Sequence, residues 1–125
     1  MSLSADRQAL VKQVAANFLI TYRSRGLGGI NAAITACYSR AAQLKTVRAI
    51  EYCYALDITA MDVAKHDQSI SPFNSLDEFR GRVEELEKIV VLPKGVMDEG
   101  REGSAVVRAT VNAIREALAS PAVPP

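Results

Sequence analysis

Two cysteines, Cys37 and Cys53, stand sixteen residues apart. That is too far for a C-x-x-C redox pair. A turn halfway between them, near Lys45, would fold two flanking helices back on each other. Such an antiparallel register sets Cys37 against Cys53, Ile34 against Leu56 or Asp57, and Ala41 against Ala49 or Ile50. The chemistry would be a disulfide. Closing so short a loop stabilises by ~3 kcal/mol in the chain-entropy model, and the bond persists in an oxidising compartment. A bridged pair therefore implies a periplasmic or secreted protein. Two small buried thiols imply a cytoplasmic one.

Asp57 is the next residue with chemistry to offer. On a helical wheel it falls between Ile50, Cys53, Tyr54 and Met61, inside an apolar face. A carboxylate there must be paired or hydrogen-bonded. Arg40, Arg48 or an arginine of the first helix is the expected partner. The alternative is a functional acid in a pocket. Asp62 and His66 share a helical face four residues apart, a spacing that can supply two metal ligands. Without a second ligand cluster, a solvated pair near a helix C-terminus is the simpler reading, and no cofactor is expected.

Gly26-Leu27-Gly28-Gly29 precedes a helix, as phosphate-binding loops do. No strand precedes it and no Gly-Lys-Ser/Thr follows, so a plain helix–helix connection is expected. Arg23 and Arg25 beside it, with Arg40, Lys45 and Arg48, form a weak candidate for anion or nucleic-acid binding. Tyr22, Tyr38, Tyr52 and Tyr54 fall on apolar seams and read as core rather than as base-stacking platforms.

The elements that must position these residues are helical. The spacing predicts a first helix over 5–25, with Ser4 as N-cap and Asp6 in the first turn. A second over 30–42 carries a seam of Ile30, Ile34, Cys37, Ala41 and Leu44. A third, capped by Thr46 and spanning 46–67, is apolar around most of its circumference and reads as central. Only a strip with Glu51, Ala55, Thr59, Asp62 and His66 looks solvated. Ser75 and Glu78 form a capping box opening a helix over 76–91. A last helix over 96–119 carries Val107, Val111, Ile114 and Leu118 on one seam, if Gly100 and Gly103 lie in helix rather than loop. Residues 120–125, with three prolines, read as a frayed tail. The expected architecture is a single all-α domain, an antiparallel bundle of about five helices.

Composition agrees. The chain has 125 residues, 49% hydrophobic and 23% charged, with aromatics at 6% and no tryptophan. An Ala-rich, aromatic-poor core suits closely packed helices. The longest uncharged run is 26–39. It is shorter than the roughly 20 residues that cross a bilayer, so no membrane insertion is expected. Residues 1–25 lack the apolar block of a signal peptide, though Met1-Ser2-Leu3 fits a start that replaces a removed leader. Charge is uneven. Residues 1–50 hold seven basic side chains and one acid, net +6, and the remainder is net −5. Packing of the basic half beside the acidic half is the plain expectation.

No catalytic constellation, metal cluster or cofactor motif stands out. The expected function is a non-enzymatic helical module that contacts another protein or itself through the narrow seams of the last two helices. A nucleic-acid accessory protein using the basic half is one alternative. A small-ligand protein with a pocket near Asp57 is another.

Overall fold

The computed structural model describes residues 3–67, 71–90 and 100–119. Among them the chain forms four α-helices and no strand: α1 (Ala5–Leu44), α2 (Val47–His66), α3 (Leu76–Ile89) and α4 (Gly100–Ala119). A short 3-10 turn, Pro72–Asn74, leads into α3. The fold is an all-α helical bundle.

Three helix starts follow from local side-chain chemistry. Ser4 Oγ accepts from the amide of Arg7, Thr46 Oγ1 from that of Ala49, and Ser75 Oγ from that of Glu78, at 3.2–3.3 Å. Each satisfies an amide that the first turn leaves without a partner. The turn between α1 and α2 is two residues long. Lys45 adopts the left-handed conformation (φ 55°, ψ 35°) and its amide returns to the Ala41 carbonyl. That is an αL helix stop, and it lies where the cysteine spacing predicts.

The described residues count four helices rather than five, because the segments expected at 5–25 and 30–42 join at Gly26 without an intervening loop and form the two arms of α1. Within α1 only Gly26 leaves helical backbone geometry (φ 66°, ψ −161°). Gly28 and Gly29 remain helical, so the glycine cluster interrupts the helix at one residue instead of four. Gly29 is needed for space. A Cβ there would overlap Arg25 Cβ and lie 3.3 Å from Arg25 Cγ.

Side-chain contacts give the direction of each arm of α1. Along the first arm, Gln13, Asn17 and Tyr22 meet Arg48, Tyr52 and Asp67 in turn, so this arm ascends with α2. Along the second, Cys37 meets Cys53 while Ala41 clusters with Ile50, so this arm descends against α2. The chain therefore reverses at Gly26.

Helix α2 is the centre of the bundle. The first arm, the second arm, α3 and α4 all pack against it. The main core joins Leu10, Val14 and Phe18 of the first arm to Ile30 and Ile34 of the second, Leu56, Ala60 and Val63 of α2, and Val106 and Ile114 of α4. A smaller cluster under the Lys45 turn holds Ala41, Ile50, Cys53, Leu86 and Val90.

Two expectations about helix faces change. The strip of α2 expected to be solvated is largely covered. Ala55 and Thr59 are fully buried, Glu51 pairs with Arg7 and Asp62 with Arg115; only His66 stays exposed. On α4 the buried positions among those described are Val106, Thr110 and Ile114; Ile114 is on the expected seam, Val107 and Val111 are half-buried, and Leu118 is 40% exposed. The Thr110 hydroxyl donates to the Val106 carbonyl at 2.8 Å. That bond to its own helix lets the side chain tolerate burial. Gly100 and Gly103 both lie in α4. The expected extension of this helix back to Val96, and the tail 120–125, lie outside the described residues.

Candidate functional site

Asp57, halfway along α2, is fully buried. Its partner comes from α3, not from the basic half of the chain. Arg82 Nε and Nη2 donate to the two carboxylate oxygens at 2.8 and 2.7 Å. This bidentate fork is the strongest geometry available to such a pair. The same Arg82 Nη2 donates to the Phe73 carbonyl at 2.9 Å, and the guanidinium lies 4.1 Å from the centre of the Phe73 ring. Burial alone would lower the Arg82 pKa, but the Asp57 bonds and charge outweigh it and the net shift is upward. Beside this pair, Asn31 and Asn74 exchange amide hydrogen bonds at 3.2 and 2.9 Å. Together these groups clamp α1, α2, the 3-10 turn and α3.

Tyr38 completes the surroundings of Asp57. Its hydroxyl is buried, makes no well-formed hydrogen bond, and faces the carboxylate's charge. Burial first, and Asp57 second, hold the phenol well above its ordinary range. Asp57 itself lines neither of two sizeable depressions on the protein surface. Its oxygens are taken by Arg82, so the geometry is that of a structural clamp.

Asp62 and His66 are similarly placed by a neighbour. Asp62 accepts from Arg115 Nε and Nη2 of α4 at 2.9 and 2.5 Å. Those bonds, and then Arg115's charge, hold its carboxyl below the usual range against the opposing effect of burial. His66 Nδ1 lies 2.9 Å from the Asp62 carbonyl and 3.8 Å from its carboxylate. A metal ion would have to displace Arg115. Among the described residues no group of three His, Cys, Asp or Glu side chains converges on one point.

The cysteines meet as their spacing implies. Cys37 and Cys53 have Cα atoms 5.7 Å apart, and their sulfurs lie at bonding distance. Such a Cα separation is typical of a disulfide. Of the basic candidates, Arg23 and Arg25 stand at the end of the first arm, just before Gly26. Arg40, Lys45 and Arg48 surround the turn at the far end of the second arm, roughly 22 Å away at the rise of an α-helix. They form two patches, not one stripe. The acidic half does not neutralise the second patch: among the described residues Arg40, Lys45 and Arg48 make no ion pair.

Sequence reasoning missed the feature that brings these side chains together. A cleft of about 450 Å³ opens between the two arms of α1 and the first half of α2. One wall is a stripe of the first arm, Gln13, Asn17 and Thr21, at four-residue steps. The floor comes from the second arm, with Ala33, Ala36 and Cys37. The far wall is Ala49, Tyr52 and Leu56 of α2. Asn17 Nδ2 donates to Tyr52 Oη at 2.7 Å, and Arg48 Nη2 to Gln13 Oε1 at 3.3 Å, so the polar rim is organised. The volume falls within the range of small-molecule sites, roughly 300–1,000 Å³.

A second, more open depression of about 510 Å³ lies between the second arm and α3. It is bordered by Glu78, Glu84, Glu85 and Ile89, with Tyr38 and Arg82 at its edge. No helix among the described residues is long and apolar enough to cross a membrane. Comparison of the chain with protein-family models, with curated proteins and with solved structures finds no match.

Proposed function

We propose that this protein is a non-enzymatic helical binding protein that holds a small amphipathic molecule in the cleft between α1 and α2. The observation that carries the reading is the cleft itself, walled by three helical segments, with an apolar floor and an organised polar rim. Binding rather than catalysis is favoured by the carboxylates. Glu51, Asp57 and Asp62 are each bonded to an arginine of a neighbouring helix, so none is presented to the cleft as an acid or base. This moves the expected pocket from Asp57 to the opposite flank of α2. The facing cysteines support an oxidised bridge. With it comes an oxidising compartment such as the periplasm or cell exterior.

The test uses N-phenyl-1-naphthylamine, a neutral apolar dye that fluoresces when removed from water. The wild-type chain should bind it saturably. Ala36→Trp, which places an indole across the floor, should abolish binding without lowering the melting temperature. Unchanged dye binding by that variant refutes the cleft as the site.

Self-association is the second reading. It rests on Leu76 and Ile89, which are 49% and 52% exposed on α3. A monomer by light scattering at micromolar concentration excludes it.

A further inference from the structure

We infer that the cleft's ligand is an amphipathic anion, a carboxylate on an unbranched apolar chain, bound with its head at the Lys45 turn and its tail toward Gly26. This inference deepens the binding reading above and rests on it. The argument is the cleft's polarity. At the end nearest the turn stand Arg40, Thr46 and Arg48. At the other end the lining is Ile30, Ala33 and Leu56 with Thr21 of the first arm, and Ile30 and Leu56 are core residues. Among the described residues no carboxylate lines the cleft at either end, and neither arginine makes an ion pair.

Two guanidinium groups at one end of a groove with an apolar floor and one polar wall match a planar anionic head. Arginine donates in a fork that fits two oxygens at once, and it is weakly hydrated for a cation. Of the seven cations in residues 1–50, Arg7 is paired with Glu51, whereas Arg40 lines the cleft without an ion pair and Arg48 beside it bonds only the neutral Gln13 amide, so both charges remain uncompensated there. Length sets the tail. Arg40 and Ile30 are ten residues apart on one helical arm. That separation is about 15 Å at the helical rise. An extended chain of medium length spans that distance. The alanine floor admits it, because a methyl group every turn leaves the width of one alkyl chain.

Titration calorimetry on the full chain tests this with three probes: decanoate, decyltrimethylammonium of matched chain length and opposite charge, and N-phenyl-1-naphthylamine. Decanoate should bind at least about tenfold more tightly than the cation, as loss of a charge-assisted contact implies. Its affinity should fall as salt rises. The double variant Arg40→Gln/Arg48→Gln should weaken decanoate by about tenfold or more, cost the neutral dye far less, and erase decanoate's preference over the cation. Equal binding of decanoate and the cation, or decanoate binding indifferent to the double variant, overturns the head-group assignment while the cleft stands. Failure of the neutral dye to bind overturns the cleft reading, and this inference falls with it.

Discussion

Replacing Arg82 with methionine removes the guanidinium and keeps most of the apolar stem. Asp57 would then be a fully buried carboxylate without either of its two bonds at 2.7–2.8 Å. Breaking a buried pair from one side costs about 3–5 kcal/mol, because the remaining charge is neither solvated nor compensated. A chain of this length has a total stability of about 6–19 kcal/mol at the usual value per residue, so the loss is a large share of it. With a urea m-value of ~1.5 kcal/mol/M, the midpoint should fall by about 2–3 M. Helical ellipticity followed through a urea titration reads this directly. The informative control is the double variant Asp57→Ala/Arg82→Met. It removes the stranded charge as well, so it should be more stable than Arg82→Met alone. Recovery will be partial, since Arg82 also holds the Phe73 carbonyl and stacks on its ring. Asp57→Ala alone should cost less than Arg82→Met, because Arg82 keeps some exposure and can turn toward water. A shift in stability of less than about 1 kcal/mol in Arg82→Met would be too small for a stranded buried charge. That result, or a double variant weaker than the single one, would mean that the clamp is not as described.

The glycines of α1 should separate by position. Gly26→Ala places a side chain at φ 66°. With ψ at −161° this backbone is open essentially to glycine alone, and alanine there should cost about 1–3 kcal/mol. Gly29→Ala should destabilise by collision with Arg25. At Gly28 a Cβ meets nothing within 4 Å. The site is helical, so Gly28→Ala should stabilise by up to ~1 kcal/mol in urea melts. In the alkaline range, Tyr22 is pushed up to about 12 by its hydrogen bond to Asp67, and Tyr54 to about 12 by burial. The folded state therefore keeps these protons while the unfolded chain releases them near its ordinary value of about 10. Their contribution is complete below that value and is lost as pH rises through the folded one, which melting curves across that window will show. Thiol titration of the denatured protein without reductant should find no free thiol. Two would exclude the bridge and the oxidising compartment.

Much of the fold was legible because its signals are local. Ser4, Thr46 and Ser75 each cap the helix they precede, since a cap needs only one oxygen three residues ahead of an amide. The cysteine register located the Lys45 turn without any strong helix breaker in the sequence. The glycine cluster was harder. Three glycines within four residues read as a stop, but only tertiary packing decides which one leaves the helical region, and here it is Gly26 alone. On α4 the seam found Ile114 but missed Thr110, which counts as polar until its hydroxyl is seen bonded to its own helix. Arg82 carried a faint signal. It stands three residues after Phe79 and four before Leu86, both on the apolar seam of α3, so it borders the buried face. Nothing local tied it to Asp57, twenty-five residues earlier.

The cleft left no such trace, and the reason bears on its test. Ala33, Ala36 and Ala49 suit close helix packing, where small residues let backbones approach. Closure depends on what lies opposite, and opposite them the first arm presents Gln13, Asn17 and Thr21. Those side chains lose water if buried and gain little apolar contact. The arms therefore stay apart where alanine meets a polar stripe and close where Phe18 meets Ile30 and Ile34. The opening follows from pairing between two faces, and neither face shows it alone. It also follows that the floor is under no packing pressure. In a closed core, enlarging a residue forces its neighbours apart and costs about 1–3 kcal/mol. Ala36 is exposed and lines the cleft, so a larger side chain there has open space to enter. Ala36→Trp should melt at or above the wild-type temperature while losing the dye. A fall in melting temperature would mean that the arms are already in contact at that level.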